Sequence, residues 1–215
     1  MIFDEYDLPL HNGDGGDTIH NVGRIAILTG DLNTYRQRMS HLIINGKLRR
    51  HPVQWSDPNN MSSDGTEPII LANLLLGEHG INQMIWNNLK ENYGKYQNGD
   101  VFRLHHMSIW GRFFGNALIS FIGDVFTVLF VIYRQIIGSR LKNKEGNLDV
   151  SDDINLILMI AVFKAIKTTC FIRLADKIYT RKNFCWEYYF KGRSELGDYL
   201  MELYEQDKRC VGRGI

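Results

Sequence analysis

Cysteine and proline are both scarce in this 215-residue chain, and charge of either sign is not in excess. The three cysteines, Cys170, Cys185 and Cys210, are an odd number, fall near the C-terminal end and show no C-x-x-C or Cys/His spacing. That excludes a disulfide framework and offers no zinc motif, so free thiols are expected. With 25 basic against 24 acidic residues the chain lacks the broad positive field of non-specific nucleic-acid binding, and no nucleic-acid partner is expected. The opening MIFDEYDLPLHNGDGGD lacks the basic start and apolar run of a secretory signal, so synthesis in the cytosol is expected. Its 20 glycines follow no fixed period, which excludes collagen-like, low-complexity and solenoid readings. No segment alternates with period two for long enough to demand a strand.

What is present is an ordinary globular composition, 44% hydrophobic and 23% charged, able to bury a core without metal or disulfide. All four prolines, Pro9, Pro52, Pro58 and Pro68, lie in the first third with the dense turn signals NGDGGD, SDPNN and SSDGT. Apolar residues recur at three- and four-residue steps from Thr18 to Ile44, predicting a helix capped by Asp17 or Thr18 and bent or broken at Gly30-Asp31. A second helix is expected from Pro68 to Gly77, with Thr66 as its cap, and a third over His79 to Asn92. The apolar stretch Arg103 to Gly138 is expected to break near Gly111, Gly115 or Gly123. After a charged connection, Ser139 to Val150, another helix starts at Ser151 and runs to about Thr168. Leu174 to Tyr179, Trp186 to Phe190 and Leu196 to Tyr204 predict shorter terminal helices. The fold class expected is all-α: seven or eight helices around one core in a single domain, 1–215, with an arrangement like an incomplete α/α toroid. The polar loop 1–17 and the long loop 45–67 make its N-terminal third loop-rich, and the tail 207–215 is expected to fray.

Ala117 to Tyr133 approaches the length of a membrane span, and Ile154 to Ile166 is apolar up to Lys164. Asp124 would be costly near the middle of a span, and the second stretch is too short to cross. Both are expected as helices of a soluble core, a membrane hairpin being the alternative. Asp124 is expected in an ion pair, with Lys164, Lys167 or Arg173 as the partners in view.

Three clusters could carry chemistry. In HNGDGGDT, Asp14 and Asp17 flank two glycines, and Asn21 and Arg24 follow Asp17 at helical spacing, so acid, amide and guanidinium could converge with His11 on a polar ligand at a helix start. The competing account is an Asp-rich turn and cap. In RRHPVQWSDPNNMSSDGTEP, Trp55 lies between His51, Asp57 and Asp64; an indole beside carboxylates suits a sugar, whose ring face stacks while its hydroxyls meet the acids. Against that, Trp55 could plug a core edge and the acids could make turns. In LHHMSIWGR, His105 and His106 point about 100° apart on a helix, so they do not form a two-His metal face, and Trp110 follows one turn on. No P-loop, dinucleotide fingerprint, EF-hand or nucleophilic triad is present, so neither metal nor cofactor is expected.

These elements, GDGGDTIHNVGR (Gly13 to Arg24), RHPVQWSDP (Arg50 to Pro58) and SSDGTEPIILA (Ser62 to Ala72), resemble an uncharacterised, mainly helical family of bacteriophages and some bacterial genomes. Trp110, GDVF, DDINLIL, LADKIY, YYF and ELY extend the resemblance over nearly the whole chain. It implies phage origin and no established activity. Ser63 and Gly65 stand where the family pattern has Arg and Gln around its Asp.

The functional expectation is a phage-encoded helical protein whose groove, built from the first loop, the Trp55 loop and the His105/His106 helix, binds or processes a glycan. Asp14, Asp17, Asp57 or Asp64 would supply acid and base. Trp55 would stack and Arg24 would anchor an acidic sugar, with His11, Asn21, His51, His105, His106 and Trp110 lining the site. The rival is a non-catalytic virion or assembly component that packs against copies of itself or other phage structural proteins. Such a protein would be cytoplasmic in the host during synthesis and then virion-associated.

Overall fold

Gly30 and Asp31 interrupt the first helical stretch, as the sequence pattern predicts. In the computed structural model, which describes residues 2–137, 151–166 and 169–181, α1 spans Thr18–Thr29 and α2 spans Leu32–Leu42. Asp31 caps α2 by accepting from the amides of Asn33 and Thr34, each at 3.1 Å. Eight helices lie among the described residues, with only a few short strands, so the fold is all-α with a loop-rich start. The described residues fall into two compact units, 2–101 and 102–181.

The first unit begins with β1 (Ile2–Phe3) paired antiparallel to β2 (Pro9–Leu10). A second small hairpin joins β3 (Ile43–Ile44) to β4 (Lys47–Leu48). Its turn is Asn45-Gly46, both at positive φ (49° and 71°), the dihedral pair that a two-residue hairpin turn requires and that Asn-Gly supplies. This hairpin takes the first residues of what reads in sequence as one continuous loop, 45–67.

The helix expected at Pro68 starts earlier. α3 spans Ser63–Leu76, with Ser62 as its cap and Pro68 in its second turn. Ser62 Oγ accepts from Gly65 N at 3.4 Å, the Thr66 hydroxyl donates back to Ser62 O at 2.8 Å, and Asp100 Oδ2 accepts from Ser63 N at 2.9 Å. Thr66 is therefore inside the first turn and is not the cap. Pro68 takes one backbone donor out of α3, and packing compensates: a Cβ on Gly23 of α1 would come within 2.7 Å of the Pro68 carbonyl carbon, so the two helices cross at backbone distance. α4 (His79–Glu91) follows. A buried amide chain ties the helices together: Tyr35 OH donates to Asn73 Oδ1 (2.7 Å), Asn73 Nδ2 to Asn82 Oδ1 (2.8 Å) and Asn82 Nδ2 to Ile70 O (3.2 Å). Leu8, Ile19, Met39, Leu42 and Ile69 fill the core around it.

The second unit contains α5 (His106–Phe113), α6 (Ala117–Ile137), α7 (Ser151–Ile166) and α8 (Cys170–Arg181). The break between α5 and α6 falls at Gly115-Asn116, where Asn116 Oδ1 accepts from Ile119 N at 3.0 Å. α5 and α6 meet at Gly123, where any Cβ would collide with the Ser108 backbone.

Asp124 is fully buried and ion-paired, with a partner other than those expected. Arg112 holds it by two bonds, Nη1 to Oδ1 at 2.7 Å and Nη2 to Oδ2 at 3.0 Å, while Ser108 Oγ and Thr169 Oγ1 also donate to it. Lys164 pairs instead with Asp176 at 2.8 Å. The reason is local: Arg112 reaches Asp124 from the adjoining α5 and lays its guanidinium 3.8 Å over the Phe163 ring. Cys170 is a free, exposed thiol. Cys185, Cys210, Lys167, the connection 139–150, the terminal patches 186–190 and 196–204 and the tail lie outside the described residues.

Candidate functional site

His11-Asn12-Gly13-Asp14 closes on itself: His11 N donates to Asp14 O (3.0 Å) and Asp14 N to His11 O (2.9 Å). With Asn12 and Gly13 at φ 52° and 80°, this is a tight turn that presents the Asp14 side chain. Asp14 Oδ1 accepts from Gly16 N at 2.5 Å and from the Trp55 indole N–H at 2.9 Å. Gln54 adds a second tie, its Oε1 accepting from Gly15 N at 2.6 Å. The structure thus brings the first loop and the Trp55 loop together, with Trp55 itself 38% exposed. Arg50 lies alongside, donating to Gly16 O (3.3 Å), Ser62 Oγ (3.2 Å) and Asn60 O (3.0 Å), its guanidinium 5.9 Å from the indole centroid.

His51 is buried beneath this surface. Its Nδ1 accepts from Val53 N and Gln54 N, both at 3.2 Å, which assigns the ring proton to Nε2, 2.9 Å from Asp4 Oδ2. Asp4 in turn accepts from the amides of Tyr6 and Leu8. His51 is therefore a clip between the N-terminal hairpin and the Trp55 loop, and its ring atoms are committed to that task.

Asp17 sits at the N-cap position of α1 but makes no side-chain cap. Its carboxylate turns outward to His11 Nδ1 (3.2 Å) and lies 4.0 Å from His20 Nδ1. Thr18 does not cap either; its hydroxyl donates to Pro9 O at 2.9 Å. Simple capping thus fails to account for Asp17.

Behind the surface, His20, Asn21 and Arg24 of α1 are buried, Arg24 lying about one turn on from the other two. Burial, reinforced by the Arg24 charge, pushes the His20 imidazole down to about 4, so it is neutral at pH 7. Burial would raise the carboxyls of both Asp17 and Asp64, but their neighbours outweigh it and hold both below the usual range. For Asp17 these are His20, the His11 hydrogen bond and Arg24; for Asp64, His20, the Ser62 hydrogen bond, Arg50 and Arg24. Burial also lowers Arg24, against which Asp17, Asp64 and Glu67 act in the opposite sense. Asn21 is fully buried with neither amide atom hydrogen-bonded, and His20 Nε2 likewise has no hydrogen-bond partner among the described residues.

Asp57 is placed apart in role. It accepts from Asn59 N at 2.9 Å and caps the short 3-10 turn Pro58–Asn60. His105, His106 and Trp110 belong to the second unit and are buried there. His105 stacks on Phe130 at 4.5 Å, His106 meets Phe102 edge-on at 5.7 Å, and Trp110 packs on Phe113 and Phe114. In the second unit these three side chains take part in aromatic packing.

The residues brought together in the first unit are therefore His11, Asp14, Asp17 and Trp55 at the surface, with Asn21, Arg24, His51 and Asp64 behind or beside them. His20, Arg50, Gln54 and Glu67 join them although the sequence pattern did not single them out as site residues. Two had a legible signal: His20 lies three residues after Asp17 and Glu67 three after Asp64, one helical turn on the same side. Arg50 and Gln54 had none, because their contacts depend on how distant loops close.

Chemically, the arrangement offers two carboxylates kept ionised and an exposed indole. Neither Asp17 nor Asp64 is tuned upward as a general acid requires, and His20 is too weak a base at neutral pH. Compared with family models, curated proteins and solved structures, the chain matches none.

Proposed function

We propose that the first unit binds a neutral, hydroxyl-rich glycan at the surface formed by Trp55, Asp14, Asp17 and His11, and that it binds without cleaving. The observation that carries this reading is the Trp55–Asp14 hydrogen bond, which fixes an exposed aromatic ring beside a carboxylate. A pyranose recognised there would stack its apolar face on the indole and donate hydroxyls to the acids. A neutral sugar fits better than an acidic one. Arg24, the expected anchor for a sugar carboxylate, is buried and already faces Asp17, Asp64 and Glu67, and Arg50 beside the indole is committed to Asn60 O, Gly16 O and Ser62 Oγ. Binding fits better than hydrolysis because glycoside cleavage needs one carboxyl held protonated, and Asp17 and Asp64 are held the other way.

The test is a glycan-array screen followed by titration calorimetry on any hit. Trp55→Ala and Asp14→Ala are expected to abolish heat of binding, and Asp57→Ala to leave it unchanged. Release of new reducing ends by the wild-type protein would overturn the non-hydrolytic part of the reading. Equal binding by wild type and Trp55→Ala would overturn the site.

A further inference from the structure

We propose that the second unit rests on an anionic lipid bilayer, through the exposed side of α6 and the basic edge of α8. α6 has two unlike sides. Leu118, Phe121, Leu129, Ile132 and Tyr133 are exposed, whereas Gly123, Asp124, Thr127, Val128 and Val131 are buried. At about 100° per residue the two sets fall on opposite sides of the helix. The only charged residue between Ala117 and Tyr133 is Asp124, and Arg112 neutralises it inside the unit, so the outward side carries no charge. Ala117–Arg134 has a mean hydropathy of 1.8, long and apolar enough to cross a bilayer, yet only 33% of it is buried. A helix in the core of a water-soluble unit buries most of such a surface. The bare stripe from Leu118 to Tyr133 runs about 24 Å along the helix.

Charge selects lipid as the occupant. Residues 1–101 carry 12 acidic and 8 basic side chains, whereas residues 102–185, the stretch of the second unit, carry 6 acidic and 12 basic ones, an asymmetry that the overall balance conceals. On α8, Arg173 and Lys177 are exposed one turn apart on either side of exposed Leu174. α8 is packed against α6, with Phe171 edge-on to Phe121 at 5.2 Å. Exposed basic side chains on the helix that packs against the apolar stripe match an anionic headgroup layer over hydrocarbon. The unit lies in the interface and does not cross it. Crossing would carry α5 and the Arg112–Asp124 pair into hydrocarbon, and α7, whose Leu156, Leu158, Met159, Val162 and Phe163 are buried, offers no second span.

Flotation of the full chain with phosphatidylcholine vesicles, with and without phosphatidylglycerol, tests this. Binding is expected to the anionic vesicles and to fall in high salt. It is expected to drop about thirtyfold in Arg173→Gln/Lys177→Gln, from the loss of two surface cations. Phe121→Glu/Leu129→Glu is expected to abolish it, with circular dichroism confirming retained helicity. Should that variant unfold, the comparison of neutral with anionic vesicles on the wild-type protein decides alone. No flotation, or flotation indifferent to lipid charge, overturns the proposal. A dimer by light scattering, dissociated by Phe121→Glu/Leu129→Glu in a protein that ignores vesicles, would also overturn it and assign the stripe to a second copy of the chain.

Discussion

The Trp55 indole N–H donates to Asp14 Oδ1 at 2.9 Å across 41 residues of sequence, and with the Gln54–Gly15 bond it joins the two loops that carry the candidate site. Because Asp14 also accepts from Gly16 N, it holds the start of α1 and the indole with a single oxygen. Ring and carboxylate are thus positioned before any ligand arrives, which reduces the ordering cost of binding.

That relationship separates stacking from positioning. Trp55→Phe keeps an aromatic face and deletes the N–H, leaving a carboxylate oxygen that solvent can reach. The expected cost in stability is about 1 kcal/mol or less. Amide hydrogen exchange in residues 53–57 should quicken, and glycan affinity should weaken without vanishing, whereas Trp55→Ala should remove it. Equal loss in both variants would show that the hydrogen bond, and not the ring face, dominates.

His51 predicts a larger structural effect. Its buried ring accepts two backbone N–H bonds and faces Asp4, so His51→Ala leaves a cavity and three groups without their partner. A loss of about 2–4 kcal/mol is expected by urea unfolding. Asp57→Ala, which removes an exposed cap on a three-residue turn, should cost about 1 kcal/mol or less.

In the second unit, Asp124→Asn removes the charge that pairs with buried Arg112 while preserving shape. Breaking such a pair by neutralising one partner costs about 3–5 kcal/mol. Replacing Arg112 and Asp124 together, as Arg112→Met/Asp124→Leu, should cost less than the sum of the single changes. A double-mutant cycle that proves additive would show that the bidentate contact contributes nothing to stability.

Helix periodicity, the break at Gly30-Asp31 and the break at Gly115 were legible in the chain because they depend on local apolar spacing and turn residues. The hairpin at Asn45-Gly46 was also legible, since Asn-Gly between apolar residues is a local signal, but the helical pattern running through Ile44 masked it. The start of α3 was not, because Asp100 helps to cap it from 37 residues away and Gly23 accommodates Pro68 from another helix. The same division holds at the site. Asp14, Asp17 and Trp55 stood out by composition, whereas the discrimination between them and Asp57 needed the fold: Asp57 caps its own turn, and Asp17, placed where a cap belongs, turns away to His11. Asp124 announced itself as a charge in an apolar helix, yet its partner is set by the crossing of α5 on α6, which no spacing within α6 encodes.

The buried imidazole of His20 predicts the pH response. Its pKa falls from 6.5 in the unfolded chain to about 4 in the fold, so between those values the unfolded state binds the extra proton. Stability from this group is therefore complete above about pH 6.5 and is lost progressively as pH falls toward 4, by about 3 kcal/mol in all. Asp17 and Asp64, held below their usual range, add their own loss at lower pH, as each is protonated below the unfolded carboxylate value near 3.8. Two regions of acid destabilisation are expected in urea midpoints measured from pH 7 to 3. His20→Gln, which cannot be protonated, should flatten the first and also weaken the second, because the His20 charge leads the interactions that hold Asp17 and Asp64 down. A wild-type midpoint that holds steady from pH 6.5 to 4.5 would show that His20 is hydrated in solution and that Gly65 does not seal it from water as the close contact between them implies.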